Sequence, residues 1–118
     1  LSNGLYLVAE ENGQIVAHAL LDPLGLEAIS HVVDLTIAVH EGYQNRGIGK
    51  ILMRHLIDWS QKNEMVEKIE LHVRSSNSRA IALYKRLGFE EQGRKWKRIK
   101  IAPNQYLDDI SMGLWVGE

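Results

Sequence analysis

The chain has 118 residues, 45% hydrophobic and 25% charged, which suits one domain over 1–118 with a core of its own. No apolar run approaches the ~20 residues that span a bilayer. The absence of cysteine excludes disulfide staples, thiolate nucleophiles and cysteine metal sites, and a reducing cytoplasm is the expected location. The net charge of −1 hides an asymmetry. Residues 1–43 hold six acids and no Lys or Arg, whereas residues 44–118 hold 14 basic and nine acidic residues. A polyanionic ligand should prefer the second stretch and a cationic amine the first.

In chain order, Leu5 to Glu10 and Gln14 to Leu21 read as strands around Glu11-Asn12-Gly13, whose Asn-Gly pair is a strong hairpin signal. Asp22-Pro23-Leu24-Gly25 reads as a turn, and Ser30 to Val39 as a third strand. A helix is expected from about Arg46 to Lys62, with Ile48, Ile51, Leu52, Leu56, Ile57 and Trp59 on one buried stripe and Asn63 ending it. Lys68 to Val73 alternates Ile69, Leu71 and Val73 against Glu70 and His72, as a half-exposed strand does. Strand, helix and strand in this order make a parallel crossover. A second helix is expected from Ser78 to Leu87, with Asn77 as N-cap, Gly88 as left-handed cap and Phe89 folding back. Two strands around Ala102-Pro103-Asn104 complete the chain.

Gly47 and Gly49 sit where the third strand gives way to the first helix. Free N–H groups and a positive dipole end make such a turn a phosphate site, and Arg46 and Lys50 add charge. A Walker A loop does not fit, because Ile48 stands where lysine is needed. A dinucleotide fingerprint does not fit, because Leu52 holds the third glycine position. A ligand-free glycine turn is the plain alternative.

Gln44-Asn45-Arg46-Gly47-Ile48-Gly49 follows Q-x-x-G-x-G and resembles the acetyl-CoA pyrophosphate loop of the GNAT superfamily of N-acetyltransferases. Asn77 to Phe89 follows N-x-x-A-x-x-L-Y-x-x-x-G-F, the other hallmark of that superfamily. The resemblance covers about Leu5 to Val116. It implies the acyl-CoA N-acyltransferase (GNAT) fold, of class α/β (α+β). That fold has a mixed, mostly antiparallel central sheet with a parallel pair in the middle, here in the order β-β-β-α-β-α-β-β. The strand and two helices that usually open relatives are missing, so the expected fold is amino-terminally truncated. Lost cover of that kind exposes apolar surface and favours self-association. Many members pair as dimers, so a homodimer is an expectation too.

The resemblance also implies roles. The pantetheine arm of acetyl-CoA would bond to the backbone of Ile37, Ala38 and Val39, with the Val39 N–H serving the oxyanion. Gln44 belongs to the loop motif, and the pyrophosphate would lie over Asn45, Arg46, Gly47, Ile48, Gly49 and Lys50. Asn77 would touch the pantetheine arm. Tyr84 would sit at its end and protonate the departing thiolate. Acetyl transfer to an amine needs a neutral nucleophile, an oxyanion donor and a proton for the leaving group. His72, where relatives often carry glutamate, and Asp34 are the candidate bases, and water relays could replace either. His18, His31, His40 and His55 lack metal-ligand spacing, so no metal is expected.

The carboxy-terminal segment from Gly88 to Trp115 is similar to that of amino-acid, aminoglycoside-like and polyamine N-acetyltransferases, which points to a small primary amine as acceptor. A protein or peptide amine and a non-catalytic acyl-CoA-binding module are the alternatives. The basic run Arg94 to Lys100 would set Arg94, Trp96, Arg98 and Lys100 on one strand face and Lys95 and Lys97 on the other. Protection of an edge strand explains it as well as nucleic acid does, and nucleic acid is not the expected partner.

Overall fold

The computed structural model describes residues 4–117. Its first turn is dictated by two residues. Asn12 and Gly13 both take positive φ, 51° and 80°, as a two-residue hairpin matched to strand twist requires. They join β1 (Leu5–Glu11) to β2 (Gln14–Pro23), and β2 pairs antiparallel with β3 (Val32–Val39). The expected turn at Asp22-Pro23 lies further on, because β2 runs through both residues. Pro23 ends the strand opposite Val33, where a missing N–H costs least. A short 3-10 turn, Glu27–Ile29, precedes β3 and has no periodic signal in the sequence.

Helix α1 (Ile48–Lys62) packs against β1, β2 and β3. It starts two residues later than expected, since Asn45 and Gly47 are left-handed (φ 66° and 80°). Ala17 and Ala19 on β2 are fully buried and let the helix approach closely. The buried stripe is Leu52, Met53, Leu56 and Ser60, rotated from the expected one. Ile51 is 58% exposed and stands at the lip of a hollow of about 360 Å³ lined with Leu7, Val8, Leu52 and His55. Ser60 is satisfied by donating from Oγ to the Leu56 carbonyl at 2.8 Å. Asn63 ends α1 as expected, donating its N–H to the Ser60 carbonyl.

The chain groups into two units. One runs up to Ile69 and takes in the chain again from Trp115, and the other is Glu70–Leu114. β4 (Lys68–Arg74) starts in the first unit, where the His31 carbonyl accepts the N–H groups of Glu67 and Lys68. The second unit adds α2 (Ser78–Arg86), β5 (Glu90–Ala102) and β6 (Gln105–Trp115), the last two antiparallel. The six strands form a mixed sheet in the order β1-β2-β3-β4-β6-β5, and the α1 crossover makes β3 and β4 its parallel pair. At the β1 end, Tyr6 and Val8 are exposed.

β5 is not regular. Lys95 faces Asp109 and Ile99 faces Leu107, so three residues of β5 oppose Asp108 alone. Lys97 at the centre has φ 54°. This bulge breaks the expected alternation: the Lys97 and Lys100 ammonium groups lie 5.8 and 5.9 Å from the same Tyr106 ring, although strict alternation sets them on opposite faces. Among the described residues, no helix is long and apolar enough to cross a membrane.

Candidate active site

In the first unit the site is made of main chain. The His40 N–H donates to the Val16 carbonyl at 2.8 Å, which makes Val16–His40, and hence His18–Ala38, hydrogen-bonded pairs. Ala38 therefore turns its N–H and C=O toward β2. Ile37 and Val39 point theirs the other way. Of the three residues expected to offer backbone to a ligand, these two have the right direction and Ala38 does not. The Val39 carbonyl accepts the Gln44 side-chain amide at 3.3 Å, so Gln44 braces the loop against the strand it leaves.

The loop then enters α1 through Gly47, the N-cap, at φ 80° with no side-chain cap. The first intrahelical bond is from the Ile51 N–H to the Gly47 carbonyl. The N–H groups of Ile48, Gly49 and Lys50 precede it and have no partner within the helix. Gly47 is required by its φ. Gly49 is different: its φ is not positive, and a Cβ built there would only meet Val39 Cγ2 at an ordinary 3.8 Å. The protein itself has room for a side chain at this point, and the glycine leaves that room beside bare N–H groups. A diphosphate suits such a place.

The loop cations divide. Lys50 is exposed in the first turn of α1. Arg46 instead lies 2.8 Å from Glu11 and over the Tyr43 ring at 5.3 Å. The hydrogen bond and charge of Glu11 push its pKa above the ordinary guanidinium value. Its side chain ties the loop to the end of β1 rather than standing free for phosphate. Asp34 faces Asp22 across the β2–β3 ladder. It is five residues along β3 from Val39, about 17 Å at strand rise, and on the opposite face, so it is not brought to the loop.

In the second unit the candidates are side chains. Asn77 caps α2, its Oδ1 accepting the Ala80 N–H at 3.2 Å. Tyr84 is buried, and that burial raises its phenol pKa above the usual value. The phenol therefore keeps its proton past the usual range and has one to donate at neutrality. The exit of α2 fixes its height. The Phe89 N–H donates to the Tyr84 carbonyl at 2.9 Å and the Gly88 N–H to the Lys85 carbonyl at 3.0 Å, with Gly88 at φ 104°. This is a Schellman ending. Its hydrophobic partner, Phe89, packs its ring 6.0 Å from that of Tyr84.

His72 projects from β4 between buried Leu71 and Val73, with its own side chain half exposed. Its Nδ1 lies 3.7 Å from Asp109 Oδ2, and Arg98 Nε lies 3.5 Å from the same oxygen. Sequence reasoning gives Asp108 no role of its own, yet it holds the neighbourhood together. Its carboxylate accepts from Arg94 at 2.8 Å and from the Lys97 N–H at 2.9 Å. Its own N–H donates to Ser75 Oγ at 2.9 Å, and its carbonyl accepts the Ser75 N–H at 3.0 Å. The adjacent acidic pair before the last apolar run was the available signal.

Residues 1–89 match the model of the Acetyltransferase (GNAT) family. The chain belongs to that family. Among its relatives, the L-amino acid N-acetyltransferase AaaT of Escherichia coli is 36% identical over 106 residues, covering 90% of this chain and 65% of that protein. The [Ribosomal protein bS18]-alanine N-acetyltransferase of E. coli is 42% identical over 81 residues, covering 69% and 51%. The solved structure of yncA from Salmonella typhimurium with its cofactor acetyl-CoA superposes with a TM-score of 0.86 at 26% identity, covering 96% of this chain and 65% of that one. The GNAT chain described here thus spans about half to two thirds of the length of these relatives. The expected family is borne out, as is the expected mixed sheet with its parallel pair.

Proposed function

We propose that this chain transfers an acetyl group from acetyl-CoA to a primary amine on a small molecule such as an amino acid or polyamine, by direct attack in a ternary complex. The observation that carries this reading is the bare first turn of α1 behind Gly47, with unneeded room at Gly49, in a chain of the GNAT family. The diphosphate would bind the N–H groups of residues 47–50. The N–H of Val39, which points away from β2, would donate to the thioester oxygen as it becomes an oxyanion.

His72 takes one proton from the acceptor ammonium. The neutral nitrogen attacks the thioester carbon, and the C–S bond breaks. Tyr84 gives its proton to the departing thiolate and regains one from the nitrogen of the collapsing adduct. In balance, an ammonium and acetyl-CoA become an amide, free CoA thiol and one proton, which leaves through His72 to solvent. No acyl-enzyme is needed, and these 118 residues hold no cysteine to carry one.

The relative that acts on a ribosomal-protein alanine supports a second reading, in which the acceptor is a peptide amine. A thiol-release assay with acetyl-CoA and a panel of amino acids, polyamines and peptides tests both. Release with small amines is the expected result. Release with peptides alone selects the second reading, and CoA binding without release on any amine overturns catalysis in favour of a binding module.

A further inference from the structure

The β5 bulge is costly and over-determined, and it aims a side chain. A lysine at φ 54° is strained, since a Cβ crowds the left-handed region. Asp108 holds the strain in place by accepting the Lys97 N–H with one oxygen and Arg94 with the other. Bulges often re-aim a side chain beside a functional site. Here the next residue, Arg98, is brought to Asp109, 3.5 Å from Nε to Oδ2. Asp109 also lies beside His72, with Nδ1 at 3.7 Å from that same oxygen. Asp109 is only 15% exposed, whereas Arg98 and His72 are each about half exposed. The least exposed member is the one that both of the others approach.

We infer that Asp109 is a positioning residue for His72, anchored by the bulge-delivered Arg98, and that it keeps the imidazole proton on Nδ1 so that Nε2 faces the acceptor amine as a lone pair. This rests on the reading of His72 as the base. An imidazole in water prefers its proton on Nε2, which would hide the useful lone pair against the strand side. A carboxylate at Nδ1 reverses that preference, and the other nitrogen then becomes the acceptor. At 3.7 Å the contact is an ion-pair distance rather than a formed hydrogen bond. Such contacts commonly tighten once substrate is bound. After proton capture, the carboxylate stabilises the imidazolium, while Arg98 keeps Asp109 itself from swinging away. The proton gained on Nε2 comes from the ammonium and is released to solvent from the same nitrogen.

The test is ¹⁵N imidazole spectroscopy of the whole chain at alkaline pH, where an ordinary imidazole is neutral, alongside kinetics of acetyl transfer. In the unaltered protein the His72 signals should report a proton on Nδ1. Asp109→Asn should move the proton toward Nε2 and lower kcat about tenfold with little change in KM for acetyl-CoA, while Asp109→Glu restores part of both. In a His72→Gln background, Asp109→Asn should lower kcat no further. An unchanged tautomer in Asp109→Asn overturns the inference, as does an undiminished loss of kcat in the His72→Gln background. A tautomer that follows Asp109 beside full turnover of His72→Gln would instead remove His72 from the chemistry and leave Asp109 as its orienting partner.

Discussion

Both helices follow a strand, yet their first turns are finished in opposite ways. α2 begins on Asn77, whose side chain fills the Ala80 N–H. α1 begins on a left-handed glycine with no side chain to cap it. A capped start is structurally complete. A bare one retains donors that only water or a ligand can satisfy. The proposed chemistry would follow the same division: the first unit would offer backbone groups, whose direction is set by strand register and glycine φ, and the second would offer side chains.

That contrast predicts unequal responses to substitution. The largest is expected at Tyr84. Tyr84→Phe should lower kcat about 10²-fold while acetyl-CoA affinity changes little, as measured by thiol release and by equilibrium binding. Because burial raises the phenol pKa, the unfolded chain ionises first on the alkaline side. Native stability should therefore fall as pH rises past about 10, and less so in Tyr84→Phe, when urea midpoints are followed against pH.

Next is Gly49→Ala. A helical glycine replaced by alanine gains about 0.5–1 kcal/mol, and the protein has room for the methyl. The ligand should not, so KM for acetyl-CoA should rise about tenfold while the melting temperature increases, since ~1.4 kcal/mol is a factor of ten. A loss of stability without loss of affinity would break the contrast between bare and capped starts. Asn77→Ala should cost about 1 kcal/mol of stability, the usual value of a cap, read from denaturant midpoints. The smallest effect is expected at Arg46. Its guanidinium is an exposed partner of Glu11, so Arg46→Ala should change acetyl-CoA affinity by no more than about threefold.

What could be read from the residues was local. Asn12-Gly13 announces its own turn, and Gly88-Phe89 announces the ending of α2, because in both cases the signal and the structure lie within a few residues. The loop motif was legible for the same reason, and the start of α1 was misplaced only by two left-handed residues. The stripe on α1 was read a few tens of degrees off because Met53, not Ile51, faces the strands. What escaped was long-range. Arg46 meets a partner 35 residues away. The bulge at Lys97 is held by Asp108, 11 residues on, and no glycine marks it. The commitment of Ala38 to β2 is a matter of ladder phase, which composition does not encode.

The Schellman ending has one more effect. The carbonyl of Tyr84 is the acceptor on which the departing chain hooks itself, so the residue bearing the phenol is also the latch of the helix. To shift that ring along the helix axis, the protein would have to unhook Phe89 and uncover it. If the proposed transfer needs an opening to admit its acceptor, the end of α2 is a poor place for the hinge, because moving it breaks this bond.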